Sequence, residues 1–199
     1  MKKILLLLLC SISLNAIAQE ITYDEFRTII PFLVKEDFKS AFEKSDALLK
    51  RTSDDDDSDL KAQVSYIAIF AAAGMVTKDE KSYEDFEKIT KRFIGKRLKM
   101  SGHPCVAAGS NGMNTFQFVK DEETGKQRGA TISTNKDKTN ILLFEYYDFP
   151  EIQNPDDYVG KTVRCGGILD RFELSPTRSK IWIARIHLTQ ATINIFVPR

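Results

Sequence analysis

The sequence holds little of what enzymes and metalloproteins concentrate. Its 199 residues include two histidines and three cysteines, and none is spaced as a metal-ligand set such as HExxH or CxxC. No GxSxG, Walker or GxGxxG run is present. Gly109-Ser110-Asn111-Gly112 is turn-like but lacks the helix that a phosphate cradle needs. A nucleophilic pair of Cys105 and His187 is disfavoured because Cys105 is a disulfide candidate. No catalytic residue, metal site or cofactor is therefore expected. A charge of one sign is also missing: 29 Lys and Arg stand against 28 Asp and Glu. Such balance offers no bulk attraction to nucleic acid or anionic lipid, so any such binding needs a local patch. The N-terminal apolar run, broken by Ser11, Ser13 and Asn15, falls short of the ~20 residues of a spanning helix.

What is present begins with a processing segment. Lys2 and Lys3, the apolar stretch from Ile4 to Leu9 and Ala16-Ile17-Ala18 have the form of a signal peptide cleaved after Ala18. Residues 1 to 18 are expected to be removed and the protein exported, periplasmic or secreted, without a membrane span. Leu9 stands where a lipid-attachment signal has a small residue, which argues against a lipoprotein through Cys10. Without Lys2 and Lys3 the balance becomes 27 against 28, a net charge of −1. Cys105 and Cys165 then remain as an even pair in an oxidising compartment. A disulfide closing a loop of 60 residues is expected, with two buried free thiols as the alternative. The chain-entropy model assigns such a loop about 4 kcal/mol.

From Thr22 to about Lys99 the pattern is helical. Thr22 and Glu25 form a capping box before Phe26, Ile29, Ile30 and Leu33, and Pro31 kinks or shortens this first helix. A second helix from about Glu36 to Arg51 is amphipathic. The Asp54 to Asp57 run has neither the glycine nor the terminal glutamate of an EF-hand, and reads as a solvated loop before the next helix. A third helix, about Asp59 to Val76, is apolar over most of its circumference and should be central. Its Ala71-Ala72-Ala73-Gly74 stripe admits a close neighbour. Thr77 and Glu80 propose a second capping box for a fourth helix carrying Tyr83, Phe86, Ile89 and Phe93. Lys88, Lys91, Arg92, Lys96, Arg97 and Lys99 follow as a basic cluster, read as a solvated helix end or as a patch for phosphate, a lipid head group or an acidic partner.

Ala41-Phe42-Glu43-Lys44 recurs loosely as Asp85-Phe86-Glu87-Lys88. Small residues on one helix of a pair and an aromatic-Glu-Lys run on the other resemble tetratricopeptide-type repeats over residues 22 to 96. The resemblance implies a helical scaffold for protein contacts; a four-helix bundle is the alternative packing.

Ser101-Gly102-His103-Pro104 breaks the helical pattern, so a helical region, 19–101, is expected to precede a β domain, 105–199. Thr115 to Val119 and Arg128 to Ser133 read as a hairpin, Ile141 to Phe149 as a third strand, Tyr158 to Leu188 as two long strands about a Ser-Pro turn, and Ala191 to Val197 as a last one. Without intervening helices these imply an antiparallel sheet, curled into a barrel or folded as a sandwich. The fold class is α+β. Adjacent Gly166 and Gly167 inside a strand mark a bulge or bend. Gly160, Lys161, Val163, Gly166 and Gly167, followed by a long strand and a Trp-bearing partner, resemble the first hairpin of oligonucleotide/oligosaccharide-binding (OB) folds. The resemblance covers 158 to 197 well and 115 to 149 poorly. It implies a barrel with a binding face and carries no catalytic signature.

Arg164, Asp170, Arg171, Arg185 and His187 are the ligand-facing candidates, with Phe172 or Trp182 as stacking surfaces. Trp182 also shares a side with Ala184, Ile186 and Leu188, which makes it a core residue on the simpler reading. The expected function is an exported, non-catalytic binding or adaptor protein of the cell envelope, with a protein partner for the helices and a polyanionic or glycan ligand for the β domain. An extracytoplasmic hydrolase, and nucleic-acid or glycan binding by the OB-like domain, are the alternatives.

Overall fold

A computed structural model describes residues 19–110 and 112–197; the expected signal peptide with Cys10, and Asn111, lie outside them. The capping box forms as expected. Glu25 N–H donates to Thr22 Oγ1, and Thr22 N–H donates to the Glu25 carboxylate, opening α1, Tyr23–Arg27. α1 stops at Arg27, and Pro31 sits in the first turn of a separate α2, Ile30–Val34, where its missing N–H costs nothing. α3, Phe38–Arg51, starts from Asp37, and α4, Asp59–Thr77, from Ser58, each by a side-chain cap.

α4 is the central helix. It is long and apolar enough to cross a membrane by length and composition, but 78% of that apolar window is buried in this fold. Its small-residue stripe receives α3: the Phe38 ring lies so close to Gly74 that an added Cβ would meet it at 2.4 Å. α5, Tyr83–Lys91, starts from Ser82, whose box partner is Asp85. The expected box of Thr77 and Glu80 does not form, because Thr77 still belongs to α4 and its hydroxyl donates to the Gly74 carbonyl at 2.7 Å. Nor does α5 run on through the basic cluster. Gly95, at φ +78°, turns the chain, and Arg97–Lys99 enters the sheet as β1.

Six more strands follow: β2, His103–Pro104; β3, Phe116–Lys120; β4, Gln127–Thr134; β5, Ile141–Tyr147; β6, Thr162–Leu174; and β7, Trp182–Ile195. The long hairpin about Ser175 and Pro176 is therefore present, and the separate last strand expected from Ala191 is the far end of β7. The sheet order is β1-β6-β7-β5-β4-β3, with β2 also on β6. The sheet is not wholly antiparallel as expected, since β5 and β7 run parallel. Residues 148–161 carry the chain past the place of β7 before β6 begins, so β7 returns beside β5 in the same direction. Nor is the sheet a closed barrel. Among the described residues its two edges meet through one bridge, Cys105 to Phe116, beside a Val106 N–H to Phe116 carbonyl bond of 2.8 Å.

Gly166 and Gly167 stand where β6 is squeezed from both sides. A Cβ on Gly166 would lie 2.7 Å from the Leu98 carbonyl on β1, and one on Gly167 would lie 2.8 Å from the Thr189 carbonyl on β7. The β6–β7 register shifts at this point and again between Leu169 and Arg171. Helices and sheet share one apolar core, with Ile69 and Phe86 from the helices and Leu143, Leu169, Ile186 and Leu188 from the strands.

Candidate ligand-binding face

Alternation along β5 and β7 separates two kinds of side chain. Leu143, Glu145 and Tyr147, with Ala184, Ile186 and Leu188, are buried in the shared core. Phe144 and Tyr146, with Arg185 and His187, occupy the opposite face. Parallel register sets Phe144 beside Arg185 and Tyr146 beside His187. On the other flank, antiparallel register sets Glu173 beside Arg185 and Arg171 beside His187. β4 contributes Arg128, and the β3–β4 turn contributes Asp121, Glu122 and Glu123. Together they line a groove of about 480 Å³.

The rings and cations of this face are layered. Tyr146 stacks on His187 with centroids 5.2 Å apart and planes 28° apart. Arg128 lies 5.1 Å from the Tyr146 centroid, and Arg185 lies 4.9 Å from Trp182 and 5.8 Å from Phe144. Phe144 meets Trp182 edge-on at 5.7 Å. Trp182 thus joins the aromatic face instead of the core, and Phe172 does the reverse, packing edge-on against Phe86 at 6.4 Å.

Electrostatically the groove is mixed. Arg128 is held by Asp121 at 2.7 Å and Asp148 at 2.9 Å. Glu173 is a loose hub, 3.4 Å from His187 Nε2, 3.8 Å from Arg185 and 4.0 Å from Arg171. The contact to His187 is an ion-pair distance without hydrogen-bond geometry, and both ring nitrogens lack partners among the described residues although the residue is only 5% exposed. Burial, helped by Arg171, lowers the His187 pKa below the ordinary imidazole value. At neutral pH it is a neutral ring with one free donor and one free acceptor.

The five ligand-facing candidates do not form one group. Arg171, Arg185 and His187 meet in the groove. Asp170 is exposed and bonded to neighbouring Arg171 at 3.3 Å. Arg164 leaves this face altogether and lines a different cavity, against the helices, because the two register shifts of β6 rotate the strand between Arg164 and Arg171.

The basic cluster is dispersed by pairing. Lys91 meets Glu87 at 2.8 Å, Arg92 meets Asp46 at 2.7 Å, Lys96 meets Asp54 at 2.9 Å, and Arg97 meets Asp59 at 2.7 Å. Lys99 also pairs with Asp59, and Lys88 is exposed on α5. The acidic run and the basic cluster, read separately in the sequence, face each other across the α4–β1 edge.

The expected disulfide is absent: Cys105 and Cys165 are buried free thiols, and burial pushes both pKa values up. Cys105 N–H donates to the Lys161 carbonyl at 2.8 Å, whereas the Cys165 carbonyl accepts from Met100 N–H at 2.9 Å.

One polar group escaped the sequence reading. The Glu145 carboxyl is fully buried between sheet and α4, where the Tyr66 hydroxyl donates to its Oε1 at 2.6 Å and lies 3.3 Å from Ser133 Oγ. Its Oε2 has no partner among the described residues. Burial raises its pKa to about 7 against the opposing Tyr66 hydrogen bond. The available signal was a carboxylate on the Leu143–Tyr147 side of an apolar strand.

No family model, curated protein or solved structure matches this chain.

Proposed function

We propose that the protein is an exported, non-catalytic binding protein whose ligand face is the outward side of β4, β5 and β7, and that its sheet is of the OB type. Three observations support the sheet type. β3, β4 and β5 form an antiparallel meander, β5 continues in parallel to β7, and β7 closes a hairpin with β6. OB folds bind oligonucleotides and oligosaccharides on the face of their second and third strands and the adjoining loops, which here correspond to β4, β5 and the Asp121–Glu123 turn. The helical region, read as tetratricopeptide-like, spends its inner faces on the shared core, which favours the sheet over the helices as the binding surface.

The observation that carries the reading is the groove's combination of the Phe144 and Tyr146 rings, with Trp182 packed against Phe144 and Arg185 beside it, and a buried His187 whose ring nitrogens have no hydrogen-bond partner among the described residues. Unpaired buried polar groups are costly unless a partner arrives, and aromatic faces accept flat or ring-shaped ligands. Asp121, Glu122, Glu123 and Glu173 line the same groove and repel a phosphate backbone. A neutral or zwitterionic glycan fits this mixture better than a nucleic acid. A glycan array run beside electrophoretic shift with single-stranded DNA tests the choice. Glycan binding without a DNA shift is expected; a salt-sensitive DNA shift without glycan binding would replace the ligand class.

A further inference from the structure

A second cavity lies on the other side of the sheet, and its chemistry differs from that of the groove. It has a volume of about 450 Å³, within the ~300–1,000 Å³ usual for small-ligand sites. Its two ends are chemically distinct. Phe26, Ile30 and Leu33 from α1 and α2, with Ile67 and Phe70 from α4, form an apolar end. α1 and α2 contain no fully buried residue; Phe26 and Leu33 pack against the edge of the core and line the cavity from it. The sheet-side end is polar and carries Arg164, Lys99 and His103.

No carboxylate lines the cavity among the described residues. Lys99 is engaged by Asp59. His103 lies with Nδ1 3.1 Å from the Asn114 carbonyl, to which it donates, and burial keeps its pKa below the ordinary value, so it contributes no cation at neutral pH. Arg164 remains. Its guanidinium rests 4.2 Å from the Phe196 ring centroid, its Nε is buried without a hydrogen-bond partner, and no acid pairs with it among the described residues. A half-buried guanidinium fork without a carboxylate favours an incoming one, because Arg presents parallel donors matched to that geometry.

We infer that this cavity binds a free amphiphilic carboxylate of the medium-chain fatty-acid class, its tail under α1 and α2 and its carboxylate on Arg164. The apolar end excludes a fully polar anion, and the absence of lining acids admits a negative head group. The site is independent of the glycan groove, with which it shares no residue.

Isothermal calorimetry of the purified protein with decanoate, decanol and acetate tests the inference. Saturable decanoate binding is expected, with decanol weaker and acetate silent. Arg164→Gln should weaken decanoate by about tenfold or more, as loss of a charge-assisted pair does, and leave decanol unchanged. Ile30→Glu, at a rim position 37% exposed and so compatible with folding, should abolish binding of both. Arg185→Ala, in the groove, should change neither, which separates failure here from failure of the glycan reading. Absence of decanoate heat, or equal decanoate affinity in wild type, Arg164→Gln and Ile30→Glu, would overturn it.

Discussion

Glu145 couples the sheet to α4 through a buried hydrogen bond from Tyr66. A carboxyl that burial holds near pH 7, well above the ~4.3 of a free glutamate, binds its proton more tightly when folded than when unfolded. Its contribution to stability is therefore fully present below the unfolded value and is lost as pH rises through about 7. The loss approaches about 3 kcal/mol once the group is fully ionised. Urea denaturation at pH 5 and pH 8.5 should show the protein less stable at the higher pH, and Glu145→Gln should remove most of that difference. A wild-type profile that is flat, or that rises with pH, would contradict the assignment. The cysteines make a second prediction at this scale. Protein lacking residues 1–18 should titrate as two thiols when denatured but unreduced and as none when native, since Cys105 and Cys165 are both buried; an absence of reactive thiols after denaturation would restore the bridge.

Among the elements, β6 determines where the candidate residues go. The glycine pair was legible as a bend because adjacent glycines are poor strand formers unless something approaches closely. What approaches, the carbonyls of Leu98 and Thr189, was not legible, because both partners lie elsewhere in the chain. Gly166→Ala and Gly167→Ala should each cost about 1–3 kcal/mol through overpacking, read as a lower urea midpoint with an unchanged slope. Variants as stable as wild type would show that β1 and β7 are not so close. Helix starts at Thr22 and the central position of α4 were visible in local pattern. The end of α5 was not, because the cations from Lys96 to Lys99 suit a helix end and equally an acid-facing strand. The parallel step between β5 and β7 depends on the path of a long connection, which strand patterning does not encode.

The whole molecule is one core with a groove on the outward side of the sheet and a cavity on the side of the helices. Its α+β order, helices then sheet, follows from the switch of hydrophobic period near Ser101, although β1 already belongs to the sheet before that point. Of the site, Arg171, Arg185 and His187 were legible because alternation exposed polar residues on a long strand. Phe144, Tyr146 and Arg128 were not, since which strands neighbour β7 is a property of the completed sheet. The central claim is that the outward face of β4, β5 and β7 receives the ligand, and the protein carries its own reporter there: Trp182 is its only tryptophan and lies against Arg185 and Phe144. A titration of intrinsic fluorescence with the oligosaccharides selected by the array should give a saturable change that disappears in Tyr146→Ala with Arg185→Ala. A signal that stays silent while ligand binds, or one that survives in the double variant, would contradict the account.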